Sequence, residues 1–168
     1  MKNNCLFLMG FLAGMVFLSV PVQSAKAGNP DFTGKWVLNE EKSTIGERMF
    51  FASVELVVKQ DAGTISIDRT RTGRDGERRT RNEKLNTDGT ENVSTRENGS
   101  TTTVATWSED GQSLNLKSDI EFNRQGETFT MNRSETWTMD SGGKVLTIES
   151  TSSSPRGESS VTLVYDKE

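Results

Sequence analysis

The 168-residue sequence predicts an all-β fold, an antiparallel up-and-down meander closing into a barrel of about 8–10 strands. Three observations carry that reading. In Glu127–Met139, Phe129, Met131, Trp137 and Met139 share one parity, while Thr128, Thr130, Thr136 and Thr138 share the other. A strand sends alternate side chains to opposite faces, so this is a long strand with one apolar side. Turn residues at Asp140–Gly143 and Pro155–Gly157 then set off two more alternating segments, one with Leu146 and Ile148 on a face, the other with Val161, Leu163 and Tyr165. The same outline occurs earlier: Thr106-Trp107, a turn at Asp110-Gly111, then Leu114, Leu116, Ile120 and Phe122. A meander of this kind disposes of its exposed edges by closing on itself.

At the N-terminus, Lys2 precedes an apolar run from Cys5 to Val20, and Ala25-Lys26-Ala27 has the small-x-small form of a cleavage site before Gly28. Residues 1–27 therefore read as a signal peptide and residues 28–168 as one barrel domain, periplasmic or secreted. An uncleaved anchor is the alternative, because the run approaches the roughly 18 residues that begin to suggest a span. Cleavage removes Lys2, Lys26 and the single cysteine, and leaves 141 residues with 18 Lys and Arg against 24 Asp and Glu, a net charge of −6.

That acidity argues against a nucleic-acid partner, which needs a basic surface. With no cysteine left, no disulfide can staple the fold. The chain has no histidine, so a Ser-His-Asp triad, a thiolate nucleophile and an ordinary zinc site are excluded for the cleaved form. No Asp-x-Asn/Asp-x-Asn/Asp-Gly loop of the calcium type occurs, and Asp140-Ser-Gly-Gly and Asp110-Gly-Gln read as hairpin turns. No metal or cofactor is expected. Leu, Ile, Val and Phe make up 26 of the 141 residues, close to the level that signals disorder. Their phasing argues for a fold instead, with a single apolar layer and a wet outer face rich in Thr and Ser.

Asp31–Leu38 opens the domain, with Trp36 and Leu38 on one face and Gly34 where a wall bends or a neighbour comes close. Gly34-Lys35-Trp36 on a first strand resembles the Gly-x-Trp that opens the lipocalins, and Thr33–Trp36 is similar to the avidin-like opening. With Glu41-Lys42-Ser43 and the close at Val164-Tyr165-Asp166-Lys167, the chain resembles small secreted lipocalin-like (calycin-type) proteins of bacteria. The resemblance implies that Trp36 packs against a cation near the barrel's end, for which Arg156 and Arg133 are the candidates. Trp36 itself reads as a plug for the barrel base.

Glu40–Glu47 lacks strand alternation and reads as a short helical turn or loop. Met49-Phe50-Phe51 is either a cap on the core or an exposed contact patch. Ser53–Gln60 puts Val54, Leu56 and Val58 inward, and after Asp61–Gly63 the return strand puts Ile65 and Ile67 inward. Arg69 and Arg71 keep the parity of those isoleucines. The expectation is that the strand leaves the core there; a bulge, or cations directed at the interior near a mouth, are the alternatives, since an unpaired buried guanidinium is costly. The run Arg69–Arg81 is interleaved with Asp68, Asp75, Glu77 and Glu83, which suits a solvated hairpin turning at Gly73–Gly76. From Asp68 to Thr103 the large aliphatics are Leu85 and Val93 alone, so this wall either lines a wet cavity or borders an open side. Asp88-Gly89 and Asn98-Gly99 are hairpin turns flanked by strands. Asn92, Asn98 and Asn132 begin glycosylation-type tripeptides, which are common by chance in such a chain.

Arg133 and Glu135 share the apolar parity of their strand, as a buried pair or as a polar anchor for a ligand. The function expected is non-enzymatic binding of a small apolar or amphipathic ligand inside the barrel, against Phe122, Phe129, Met131 and Trp137, with Arg133 meeting its polar end. A filled barrel that contacts another envelope protein, for instance as an inhibitor, is the alternative. Carboxylate catalysis of the glycosidase type needs two acids set across a cleft, and 24 acids nominate no pair. N-terminal sequencing of the exported protein is expected to begin at Gly28; a product that retains Cys5 would make the first segment an anchor.

Overall fold

The computed structural model describes residues 28–45, 52–155 and 157–168. The expected signal segment 1–27, the cluster Met49-Phe50-Phe51 and Arg156 lie outside the described residues. Ten strands follow one another: β1 (Gly34–Leu38), β2 (Glu55–Asp61), β3 (Thr64–Thr72), β4 (Arg78–Asn86), β5 (Asp88–Arg96), β6 (Gly99–Trp107), β7 (Ser113–Arg124), β8 (Glu127–Met139), β9 (Val145–Ser154) and β10 (Gly157–Lys167). They form one antiparallel sheet in the order β4-β3-β2-β1-β10-β9-β8-β7-β6-β5. Chain neighbours pair throughout, and β10 returns to pair with β1. The exception is β4 and β5, which are the two sheet edges. The result is an up-and-down barrel that is closed except for one seam.

The seam falls where the sequence is poorest in apolar side chains. In β4 and β5 Leu85 is buried, while Val93 is 65% exposed. A side-chain amide bridges the gap that no ladder closes: Asn86 N–H donates to Asn92 Oδ1 at 2.8 Å, and Asn92 Nδ2 donates to the Asn86 carbonyl at 3.3 Å.

Register carries the alternation into a common interior. Leu114 lies opposite Trp137, Trp137 opposite Ile148, and Ile148 opposite Leu163. On the other wall Trp36 lies opposite Leu56, Val58 opposite Ile67, and Ile65 opposite Leu85. These side chains converge on one end of the barrel, where Trp36, Trp137, Tyr165, Phe32, Leu114 and Ile148 are fully buried. Phe32 sits at the centre of this base, stacked on Trp107 at 5.9 Å and edge-on to Trp137 at 5.8 Å, geometries that aromatic pairs favour. Buried polar tips find backbone partners: Trp36 Nε1 donates to the Phe32 carbonyl at 2.8 Å, and the Tyr165 hydroxyl to the Ser53 carbonyl at 3.0 Å.

Glu40–Glu47 is described as far as Ile45. Residues 40–42 form a turn, not a helix, and Thr44 bridges Thr162 as extended chain. The cation over Trp36 is Lys167, with Nζ 5.0 Å from the ring centroid. This corrects the expectation placed on Arg133, and the reason is register: Trp36 and Lys167 are cross-strand partners at the β1–β10 pairing. Gly34 makes room for that contact. Its φ is +148°, and a Cβ there would stand 2.6 Å from Lys167 Cε. A Gly34→Ala substitution is therefore expected to displace Lys167 from Trp36 and strain the backbone, at a cost of about 1–3 kcal/mol. A lowered midpoint in urea unfolding, followed by tryptophan fluorescence, is the measurement that checks it.

Candidate functional site

Above the apolar base the interior turns polar within one layer. Arg69 on β3 shares the parity of Ile65 and Ile67 and is itself buried. Its Nε meets Glu83 Oε1 of the neighbouring strand β4 at 2.5 Å, and its Nη2 crosses the barrel to Glu135 Oε2 of β8 at 2.8 Å. Trp137 Nε1 donates to the same Glu135 oxygen at 3.1 Å, and the Arg69 guanidinium lies 5.3 Å from the Trp137 ring centroid. Burial alone would push the Glu135 carboxyl up, but Arg69, then Arg133, then the Trp137 N–H together hold it below the ordinary carboxylate value. Burial would likewise lower Arg69, and Glu135 and Glu83 outweigh it, so its pKa is raised. The network is a charged, satisfied strut between opposite walls.

Further from the base, cations outnumber acids. Arg71 on β3 and Arg133 on β8 face inward, as their parity with Arg69 and Glu135 shows, and Arg81 on β4 lies directly opposite Arg69. Among the described residues Arg71 and Arg133 make no hydrogen bond or ion pair. Arg81 reaches Thr101 Oγ1 at a long 3.5 Å, and its Nε is buried without a partner. Burial, then the charges of Arg133 and Arg69, hold the Arg71 pKa below its ordinary value. Burial, then Arg96, act in the same sense on Arg81, with Arg133 and Arg69 adding to them. The walls around these guanidiniums are lined with hydroxyls in place of aliphatics: Thr103 pairs with Ser118 at 2.9 Å and Ser152 with Ser159 at 2.8 Å.

Beyond the arginines, the long β7–β8 hairpin carries a second apolar set. Phe122 and Phe129 are cross-strand partners, stacked with centroids 5.4 Å apart. Ile120 and Met131 pair one step closer to the base. All four face inward but none is buried, and Phe122 is 40% exposed. Phe122, Phe129, Met131 and Arg133 are thus brought together along one wall. Trp137 is not with them. It belongs to the base, with Phe32 and Arg69 against its ring and no exposed surface, so the Arg69–Glu135 layer separates it from the open half.

Two further expectations are corrected. The strand does not leave the core at Arg69 and Arg71; both stay in the β3 ladder and face the interior. Glu135 is ion-paired with Arg69 of the opposite wall, not with Arg133 two residues away. The hairpin β3–β4 is only partly a solvated ion-pair ladder: Arg78 meets Glu55 on the outer face and Arg79 meets Asp75 and Glu77 at the exposed turn, whereas Arg69, Arg81 and Glu83 lie within. Sequence reading passed over Glu83 and Arg81 as site residues. Their shared parity with buried Leu85 was the available signal. Two grooves on the outside offer less. One is lined by Lys35, Glu55, Arg78 and Glu168, whose charges pair with one another, and the other lies beside Asp31, Gln60 and Trp107 at the base. Among the described residues no group of three or more Asp and Glu is placed to hold a metal.

No family model matches the chain, and no curated protein matches it in sequence. Among solved structures it is similar to zebrafish ileal bile acid-binding protein complexed with cholic acid, at 14% identity and a TM-score of 0.50, over 82% of this chain and 98% of that one. That likeness shows the fold: a calycin-like barrel of ten up-and-down strands.

The strut also predicts a pH dependence. Glu135 in the unfolded chain titrates near about 4.3 and lower when folded, so its stabilisation is present above that value and is lost as pH falls through the folded pKa. Near neutrality Glu135→Gln is expected to cost ~3 kcal/mol, because it removes the buried carboxylate that both Arg69 Nη2 and Trp137 Nε1 contact. The gap between variant and wild type should narrow as the pH drops below about 4. Urea unfolding of both proteins at a series of pH values checks this.

Proposed function

We propose that the protein is an exported, non-enzymatic binding protein that holds a small amphipathic ligand in the open half of its barrel. The observation that carries this is the division of the interior. Below Arg69 and Glu135 every large side chain is packed. Above them Ile120, Phe122, Phe129 and Met131 face inward while still reached by solvent, beside arginines that lack partners among the described residues. Apolar side chains left wet on a concave face gain by covering a ligand's apolar body. The site named from sequence is thereby narrowed: Phe122, Phe129 and Met131 take the apolar part, Arg133 the polar end, and Trp137 supports the floor. Gly34 and Trp36 are structural. The structural neighbour's complex with cholic acid, an amphipathic molecule bound by a protein of the same fold, supports the reading. The likeness to secreted bacterial lipocalin-like proteins, noted from the opening motif, supports export, as does the form of residues 1–27.

The packed base favours a second reading, a filled module that contacts an envelope protein through its rim. Native mass spectrometry of protein purified from its host separates the two. An amphipathic molecule bound at unit stoichiometry, and lost on Phe129→Ala, is expected. A ligand-free barrel that instead captures a stoichiometric protein partner from envelope extract would overturn the proposal.

A further inference from the structure

We infer that Arg71, Arg81 and Arg133 together receive a tetrahedral dianionic head group of the phosphomonoester class; this deepens, and rests on, the amphiphile reading above. The three guanidiniums come from β3, β4 and β8, which lie on opposite walls of the barrel, and they are near enough for the Arg133 charge to act on both of the others. The ladder itself places like charges face to face, with Arg69 opposite Arg81. Directly opposed like charges destabilise a sheet. A fold that keeps them has a use for the positive potential that they create.

The charge in this layer sets the kind of anion. Arg69, Arg71, Arg81 and Arg133 face Glu83 and Glu135, and Arg69 already engages both carboxylates. Two positive charges are left over, and Arg96 of β5, whose charge also acts on Arg81, adds to them from the seam. One carboxylate or sulfate ester would neutralise at most half of that excess. A phosphomonoester carries roughly −1.5 to −2 near pH 7 and three strong acceptor oxygens, enough to meet donors that arrive from three strands. The buried Arg81 Nε lacks a partner, and an acceptor oxygen in the layer would satisfy it. Arg133 lies between Ser118 and Ser152 in the ladders on either side, which adds hydroxyl donors. The apolar set Ile120, Phe122, Phe129 and Met131 lies on the open side of this layer, so a head group held by the arginines leaves its alkyl part along that wall.

Isothermal titration calorimetry with decyl phosphate, decyl sulfate, decanoate, decanol and inorganic phosphate tests the inference. Decyl phosphate is expected to bind best, at least about tenfold more tightly than decanoate or decyl sulfate. That margin should shrink below about pH 6, where the phosphate loses its second charge. Arg71→Gln and Arg133→Gln are expected to weaken decyl phosphate binding at least about tenfold and so abolish the margin. Without ligand, Arg71→Gln should melt at or above the wild-type temperature, since it removes a cation repelled by Arg133 and Arg69; lower melting would make Arg71 structural and overturn the inference. Decanol binding as tightly as decyl phosphate would overturn it and leave the amphiphile reading standing. Inorganic phosphate binding as tightly as decyl phosphate would support the anion site and overturn the amphiphile reading. Absence of binding by every probe would overturn both.

Discussion

The structure depends on one guanidinium. Arg69 leaves β3, bonds Glu83 on the next strand, and spans the interior to Glu135 on β8, which in turn fixes the Trp137 indole. Three walls are thereby held at one level of the barrel. Ion networks in a dry interior rarely outperform apolar side chains of the same volume. Leucine or methionine at these three positions would extend the packed base upward and close the barrel to any occupant. The charged layer instead stops apolar packing at a defined height. It supplies a polar floor to the space above and a satisfied ceiling to the core below.

The strands were legible in the sequence because alternation reports the face of every side chain. β8 runs over Glu127–Met139, the limits its parity indicates. The apolar-poor stretch from Asp68 to Thr103 likewise marked the wall that carries the seam between β4 and β5. Parity says nothing about height along the barrel axis, and this is where the site was misread. Trp137 and Phe129 share a parity on one strand, yet one is sealed in the base and the other lies at the open end. Nor does parity name the residue across the interior. Glu135 has Arg133 two positions away, and its actual partner, Arg69, is distant in sequence. Lys167 over Trp36 was hidden in the same way, because register between the first and last strands is set by the closed barrel and not by any local pattern.

The two halves of the barrel are held by different chemistry. The base rests on buried aromatic and aliphatic area, each large side chain contributing roughly 1.5–3 kcal/mol. The open half has few such residues, and inward-facing hydroxyls pair across its ladders: Thr103 with Ser118 and Ser152 with Ser159. Such bonds contribute about 1 kcal/mol each because water competes for the same groups. Stability is therefore concentrated at one end. The seam, bridged by the Asn92 side chain to the Asn86 backbone, lies beside the weaker half, so the wall nearest the unpartnered arginines is also the one held by the fewest ladder bonds.

Charge placement completes the asymmetry. The chain is acidic, with a formal net charge of −4, while the layer above the base gathers arginines from facing strands. Solubility alone would put those cations outside, where water screens them. Kept inside, they sit between low-dielectric walls that focus their field, against an exterior that repels anions. An anion that enters the barrel gains most at the level of Arg71, Arg81 and Arg133 and little elsewhere. The same arrangement disfavours further apolar collapse, because filling the open half with side chains would desolvate three guanidiniums that have no carboxylate partner among the described residues. The arginines thus keep the space wet and give it a sign.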